Sequence, residues 1–146
     1  MSRETTCMRN FLFACVHNAG RSQISAAIFN QLANPEQAHA ISAGTQPAEH
    51  VHPEVLEAMR EIGIDLSHAK PQRLTPELAA EAEVLITMGC GEACPDVPGL
   101  KYEDWPLPDP KGKGIEAVRI IRDEIAERVR TLLREANLLS PPRTAE

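Results

Sequence analysis

The sequence predicts a single-domain α/β protein, a three-layer sandwich in which a four-stranded parallel sheet carries helices on both faces. Three observations predict it. Strand-length apolar runs alternate with helix-length amphipathic segments along the chain. Val84-Leu85-Ile86-Thr87 is a short continuous apolar run of the kind found in a strand buried on both faces. A chain of 146 residues also fits one domain with a real core, since about two thirds of the unfolded surface is buried at this size.

The elements follow in order. After a leader, the first strand is expected over Arg9–Ala14. Ser22 to Ala33 places Ile24, Ile28, Phe29 and Leu32 at helical spacing and stops at Asn34-Pro35. His39–Ser42 reads as a second strand closed by Ala43-Gly44. Pro53 to Ile62 forms a short helix with Val55, Leu56 and Met59 inward and Gly63 as its stop. Ile64 to Leu74 reads as loop, and Thr75-Pro76-Glu77-Leu78 opens another helix, with threonine as N-cap and proline in the first turn. Glu83–Met88 is the third strand, and Lys101–Pro106 is a weaker fourth. A long helix over Gly114–Asn137 carries Ile115, Val118, Ile121, Ile125, Val129 and Leu132 on one stripe, with Arg119, Arg122, Glu127 and Arg130 outside it. Residues 1–146 form one domain in this reading, with 1–8 and 138–146 as loose termini.

Composition narrows the function. Hydrophobic residues make up 42% and charged residues 25%, as in globular chains. A net charge of −6 argues against nucleic acid as a partner, because neutralising phosphates requires a basic face. Neither a membrane-spanning apolar run nor a secretory leader is visible, so a cytoplasmic protein is expected. It is read as a monomer. Four cysteines, Cys7, Cys15, Cys90 and Cys94, then point to catalysis or metal rather than structural disulfides. Cys7 lies outside every motif.

The strongest signal is Cys15-Val16-His17-Asn18-Ala19-Gly20-Arg21-Ser22. A cysteine and an arginine flank a loop between a strand and a helix, the arrangement of an oxyanion cradle: loop amides turn inward and the helix N-terminus adds a positive dipole. Only a thiolate attacks, so Cys15 needs that positive potential, and Ser22 can donate its hydroxyl to the sulfur. The Arg21 fork can hold two oxygens of a phosphate-like ion. Asn18 tolerates left-handed backbone and can tie the loop together, and Gly20 gives a second hinge. Val16, His17, Asn18, Ala19, Gly20, Arg21 and Ser22 therefore line the expected substrate site, with His17 equally suited to a plain loop position.

Displacing oxygen from such an ion calls for a general acid. Asp109, in the proline-stiffened Trp105-Pro106-Leu107-Pro108-Asp109-Pro110, is the candidate, with Asp104 as the fallback. Cys90 and Cys94 follow the third strand, so both are expected near the Cys15 end of the sheet. Residues four apart on a helix rise about 6 Å, near the upper range of a disulfide, and Gly89 and Gly91 make the segment easy to remodel. Zinc would need further ligands, for which only His50 and His52 offer themselves, and two plain buried thiols remain a third reading.

These motifs together resemble the arsenate reductases built on the low-molecular-weight tyrosine phosphatase fold. The resemblance runs from Phe11 to Asn137 and rests on Cys15-x5-Arg21-Ser22-Gln23, Ser42-Ala43-Gly44, Gly63-Ile64-Asp65-Leu66-Ser67, Ile86-Thr87-Met88-Gly89-Cys90 and Asp109-Pro110. It implies that Cys15 attacks arsenic in arsenate, with phosphate or sulfate as mimics, while Asp109 protonates the departing hydroxyl. Cys90 then attacks Cys15 to release arsenite, and Cys94 attacks Cys90. The resulting Cys90–Cys94 disulfide is reopened by thioredoxin or a similar reductant, as arsenic detoxification requires. No cofactor is implied. Some members bind potassium through a glutamate where this chain has Ala26, so no metal site is expected.

Other departures define the alternatives. Thioredoxin-coupled members commonly open with Cys-Thr-Gly-Asn and hold a second cysteine before the arginine, where this chain has Val16-His17 and Gly20. The loop and Trp105-Pro106-Leu107-Pro108 look like an actinobacterial-type branch that includes mycothiol-dependent transferases, but retention of Cys90 and Cys94 favours the thioredoxin type. A tyrosine phosphatase would generally carry aromatic residues after Asp-Pro, where Lys111-Gly112-Lys113-Gly114 stands; weak phosphatase activity is still expected. A non-catalytic oxyanion or redox sensor is the remaining alternative.

Overall fold

The computed structural model describes residues 8–88, 100–108 and 113–140. The chain runs β1 (Arg9–Cys15), α1 (Arg21–Leu32), β2 (Ala38–Gly44), α2 (Pro53–Arg60), α3 (Pro76–Ala80), β3 (Val84–Thr87), β4 (Lys101–Asp104) and α4 (Ile115–Ala136). The sheet order is β2-β1-β3-β4 and every neighbouring pair is parallel. The strand, helix and sheet arrangement is the one the sequence predicts.

Strand alternation divides the core into two layers. Phe11, Phe13 and Cys15 of β1, with Val84 and Ile86 of β3, face α1, α2 and α4; Leu12, Ala14 and Leu85 face Ala79 and Leu74 on the other side. Phe29 of α1 joins the first layer by packing against Phe11 at 4.8 Å and Phe13 at 5.9 Å between ring centroids. Such pairs contribute about 1 kcal/mol each beyond their buried area. Central β1 is thereby fixed in register, and with it the position of Cys15 at its C-terminal end. By contrast β4 is exposed at every residue, a short polar edge that discourages pairing with other chains.

Local chemistry sets the helix ends. Thr75 Oγ1 accepts the Leu78 amide at 3.0 Å to start α3. Gly63, at φ +84°, ends the turn after α2 and lets the Ile64 amide reach the Met59 carbonyl at 3.0 Å. The first two turns of α1 are buried nearly all round, from Arg21 to Ala26, so this helix is more enclosed than its apolar spacing predicts.

The expected stripe of α4 packs on the core, with Ile115 and Leu132 partly buried, and Leu133, four residues after Val129, joins it fully buried. One expectation for this helix is corrected. Arg122, expected outside the stripe, is 9% exposed. Its Nη1 donates to the Ala58 carbonyl at 2.8 Å, which the end of α2 cannot satisfy internally, and to the Glu61 carboxylate Oε1 at 2.9 Å. The chain expected to loosen at 138 is instead docked as far as Ser140: Leu138 is buried, its carbonyl accepts the Asn34 amide at 2.8 Å, and the Ser140 amide reaches the Leu32 carbonyl at 2.8 Å. No helix among the described residues is long and apolar enough to cross a membrane.

Candidate active site

Parallel strands end on one side of the sheet, and the loop from Val16 to Gly20 emerges there between β1 and α1. Every carbonyl of the turn is taken by a donor outside it. Those of Cys15, Val16, His17 and Ala19 accept the amides of Thr45 at 3.2 Å, Gln46 at 2.7 Å, Ala48 at 2.9 Å and His52 at 3.0 Å. The Asn18 carbonyl accepts Gln23 Nε2 at 3.1 Å, and that of Gly20 accepts the Ile24 amide at 2.9 Å. With the carbonyls drawn outward, the loop amides from Val16 to Gly20 are left for the concave side; among the described residues none of them meets a protein acceptor. A row of such N–H groups ending at a helix N-terminus attracts an anion.

Close packing shapes the outer wall of the loop. A Cβ on Gly44 would lie 2.6 Å from the Val16 carbonyl oxygen and 2.9 Å from the Asn18 nitrogen. Only glycine lets the end of β2 approach so closely. Asn18 takes the left-handed conformation the sequence reserves for it, at φ 52°.

The buried side chains form a directional hydrogen-bond chain. The Gln72 amide donates to Asn18 Oδ1 at 2.9 Å, which fixes the orientation of the Asn18 amide. Asn18 Nδ2 then donates to Ser22 Oγ at 2.7 Å, and Ser22 Oγ lies 2.9 Å from the Cys15 sulfur. Since Ser22 already accepts from Asn18, its own hydrogen is available to the sulfur. Cys15 is a free, buried thiol, and Arg21 is buried to 6% exposure in the first turn of α1. Arg21 Nη1 donates to the Leu107 carbonyl at 3.0 Å, bringing the segment after β4 across to the cradle.

The family of low-molecular-weight phosphotyrosine protein phosphatases matches residues 10–140 of this chain. The chain belongs to that family. Within it, arsenate reductases are among the similar proteins. A Halobacterium salinarum protein provisionally named as an arsenate reductase is 39% identical over 141 residues, 94% of this chain and 98% of its own length. The thioredoxin-dependent arsenate reductase of Corynebacterium glutamicum is 40% identical with a TM-score of 0.78; the match covers 89% of this chain and 62% of that one, so this chain spans less than two thirds of that neighbour. An arsenate reductase solved in a phosphate-binding state is 30% identical with a TM-score of 0.75, covering 88% of this chain and 98% of its own.

As a phosphatase-family site the constellation divides clearly. Cys15, Asn18, Arg21 and Ser22 come together around the loop, and Val16, His17, Ala19 and Gly20 complete it. Cys7, Cys90, Cys94 and Asp109 lie outside the described residues. The fallback acid Asp104 stands on exposed β4, where its Oδ1 accepts the Thr87 hydroxyl at 2.8 Å. Gln23, Gln72 and the Leu107 carbonyl join the site with no role legible in the sequence. Gln23 Nε2 bridges the Asn18 carbonyl and Oδ1, at 3.1 and 3.2 Å, and Gln72 belongs to a stretch read only as loop. That stretch is held at the end of β2, with the Gly44 amide on the Gln72 carbonyl and the Leu74 amide on the Gly44 carbonyl, both at 2.8 Å. Asp65 turns the chain toward it: the Ser67 backbone and hydroxyl hold the Asp65 carboxyl below its ordinary pKa, the Ser67 N–H donating to Asp65 Oδ1 at 2.9 Å.

Proposed function

We propose that this chain reduces arsenate to arsenite at Cys15 and is regenerated by thioredoxin or a related dithiol protein. The observation that carries the reading is the cradle itself, a buried thiol beside a serine hydroxyl and beneath a loop whose carbonyls all point away. Arsenate is a tetrahedral oxyanion, and the relatives named as arsenate reductases share this chain over most of its length.

In the proposed reaction the loop amides and Arg21 hold the arsenate oxygens, and Ser22 holds the sulfur as thiolate. The Cys15 thiolate attacks arsenic(V), a sulfur–arsenic bond forms, and one hydroxyl of the arsenate leaves as water on taking a proton from Asp109. Cys90 as thiolate then attacks the Cys15 sulfur; the electron pair of the sulfur–arsenic bond passes to arsenic, which departs as arsenite. Cys94 as thiolate attacks Cys90, Cys15 leaves as thiolate, and the Cys90–Cys94 disulfide takes two electrons from the reductant dithiol.

Chain reach supports these assignments. The Met88 amide donates to the Ala14 carbonyl at 2.8 Å, beside Cys15, and Cys90 follows two residues later. Two extended residues span about 7 Å. Asp109 likewise lies two residues beyond Leu107, whose carbonyl is bound to Arg21.

The deciding experiment measures arsenite formation with thioredoxin, glutaredoxin or mycothiol systems in the wild type, Cys90→Ser and Cys94→Ser. Turnover with thioredoxin that fails in both variants is expected. Undiminished turnover in both sinks the relay, and dependence on mycothiol alone identifies a thiol transferase instead.

A further inference from the structure

We propose that Trp105 is a positioning residue for Arg21, acting through the Leu107 carbonyl, so that residues on the far edge of the sheet set how tightly the cradle holds its anion. This rests on the Cys15 loop being an oxyanion site, though not on arsenate being the substrate.

The sheet order makes the connection unusual. The segment after β4 starts two strands away from β1, yet Leu107 reaches Arg21. Trp105 makes the crossing. Its amide extends the ladder onto the Thr87 carbonyl at 2.8 Å, and its ring passes beneath β3 to pack on Phe13 of β1, with centroids 5.6 Å apart. Two groups hold the indole in that pose: Glu103 Oε1 accepts its Nε1–H at 3.1 Å, and the Arg128 guanidinium lies over the ring at 5.8 Å.

From this anchor little freedom remains. Pro106 restricts Trp105 and Pro108 restricts Leu107 to extended backbone, so the direction of the Leu107 carbonyl follows from the indole's position. That carbonyl accepts one N–H of a planar, rigid guanidinium, and fixing one N–H vector limits where the other donors of the fork can point. A shift of Trp105 therefore rotates the fork that faces the anion and leaves undisturbed the Ser22–Cys15 pair, whose partner is Asn18 rather than Leu107.

The test uses inorganic phosphate as the probe and follows alkylation of the Cys15 peptide by iodoacetamide, read by mass spectrometry. Trp105→Phe and Glu103→Leu are each expected to raise the phosphate concentration needed for half-protection about tenfold, the scale of one charge-assisted hydrogen bond. The alkylation rate without phosphate should stay within about twofold of wild type, since the thiol's own partners are unchanged. Glu103→Gln keeps an acceptor for the indole and should restore wild-type protection. Should Trp105→Phe fail to fold, the two Glu103 variants carry the comparison. Wild-type protection in Trp105→Phe and Glu103→Leu, or equal loss in Glu103→Gln and Glu103→Leu, overturns the positioning role. Failure of phosphate to protect the wild-type thiol overturns the oxyanion site itself.

Discussion

Asn18 donates its side-chain amide to the Ser22 hydroxyl at 2.7 Å, and this single bond decides the direction in which Ser22 gives its own hydrogen. The hydroxyl can then stabilise a Cys15 thiolate 2.9 Å away. Ser22→Ala should lower kcat on the order of 10–100-fold, the value of a hydrogen bond to a charged group. Phosphate affinity should change little, because the loop amides and Arg21 remain. A steady-state kcat with a phosphate inhibition constant checks both.

Arg21→Lys should behave differently. The charge stays, but the fork and the donor to the Leu107 carbonyl cannot both be reproduced by one ammonium. Arsenite formation should fall on the order of 100-fold in kcat/KM, with part of the loss in KM. A variant as active as wild type would show that only charge is needed there.

Gly44→Ala tests the outer wall. The added methyl would sit 2.6 Å from the Val16 carbonyl, so the end of β2 and the loop must separate. Destabilisation of about 1–3 kcal/mol in urea unfolding is expected, together with weakened anion binding. Loss of binding at unchanged stability would mean that the strand end tolerates the shift while the cradle does not.

Acid should release the clamp between α2 and α4. Hydrogen bonds from Arg119 first, and from Arg122 next, lower the Glu61 pKa from 4.5 to about 2. A depressed folded-state pKa means stability that is fully present above the unfolded value and is lost as the pH falls toward the folded one. Stability should therefore drop between pH 4.5 and about 2, and Arg119→Met should flatten that part of the profile. Denaturant midpoints measured across this window check the sign; an unchanged slope in Arg119→Met would remove Glu61 as the titrating group.

Residue type made part of this structure legible. The Cys15-x5-Arg21 spacing, the strand-length apolar run before it and the helix-stopping Gly63 each carry a chemical signature in residue type alone. What stayed hidden depends on partners far along the chain. The amides of residues 45, 46, 48 and 52 hold the loop through backbone atoms that any residue but proline supplies. Arg122 looked like a surface charge because the carbonyl it serves, at Ala58, ends another helix. The Leu107 link to Arg21 was hidden for the same reason, a carbonyl having no letter in the sequence.

The outward-tied carbonyls from Cys15 to Gly20 also carry an economy of ordering. Their restraint is completed when the protein folds, so an arriving ion finds donors already aimed and freezes little chain in binding. Beyond Asn18, whose side chain ties the turn, and Ala19, which is fully buried, this backbone restraint leaves the half-buried Val16 side chain little part in shaping it. Val16 could change identity while the socket keeps its curvature, leaving evolution to alter the fate of the captured ion elsewhere in the chain.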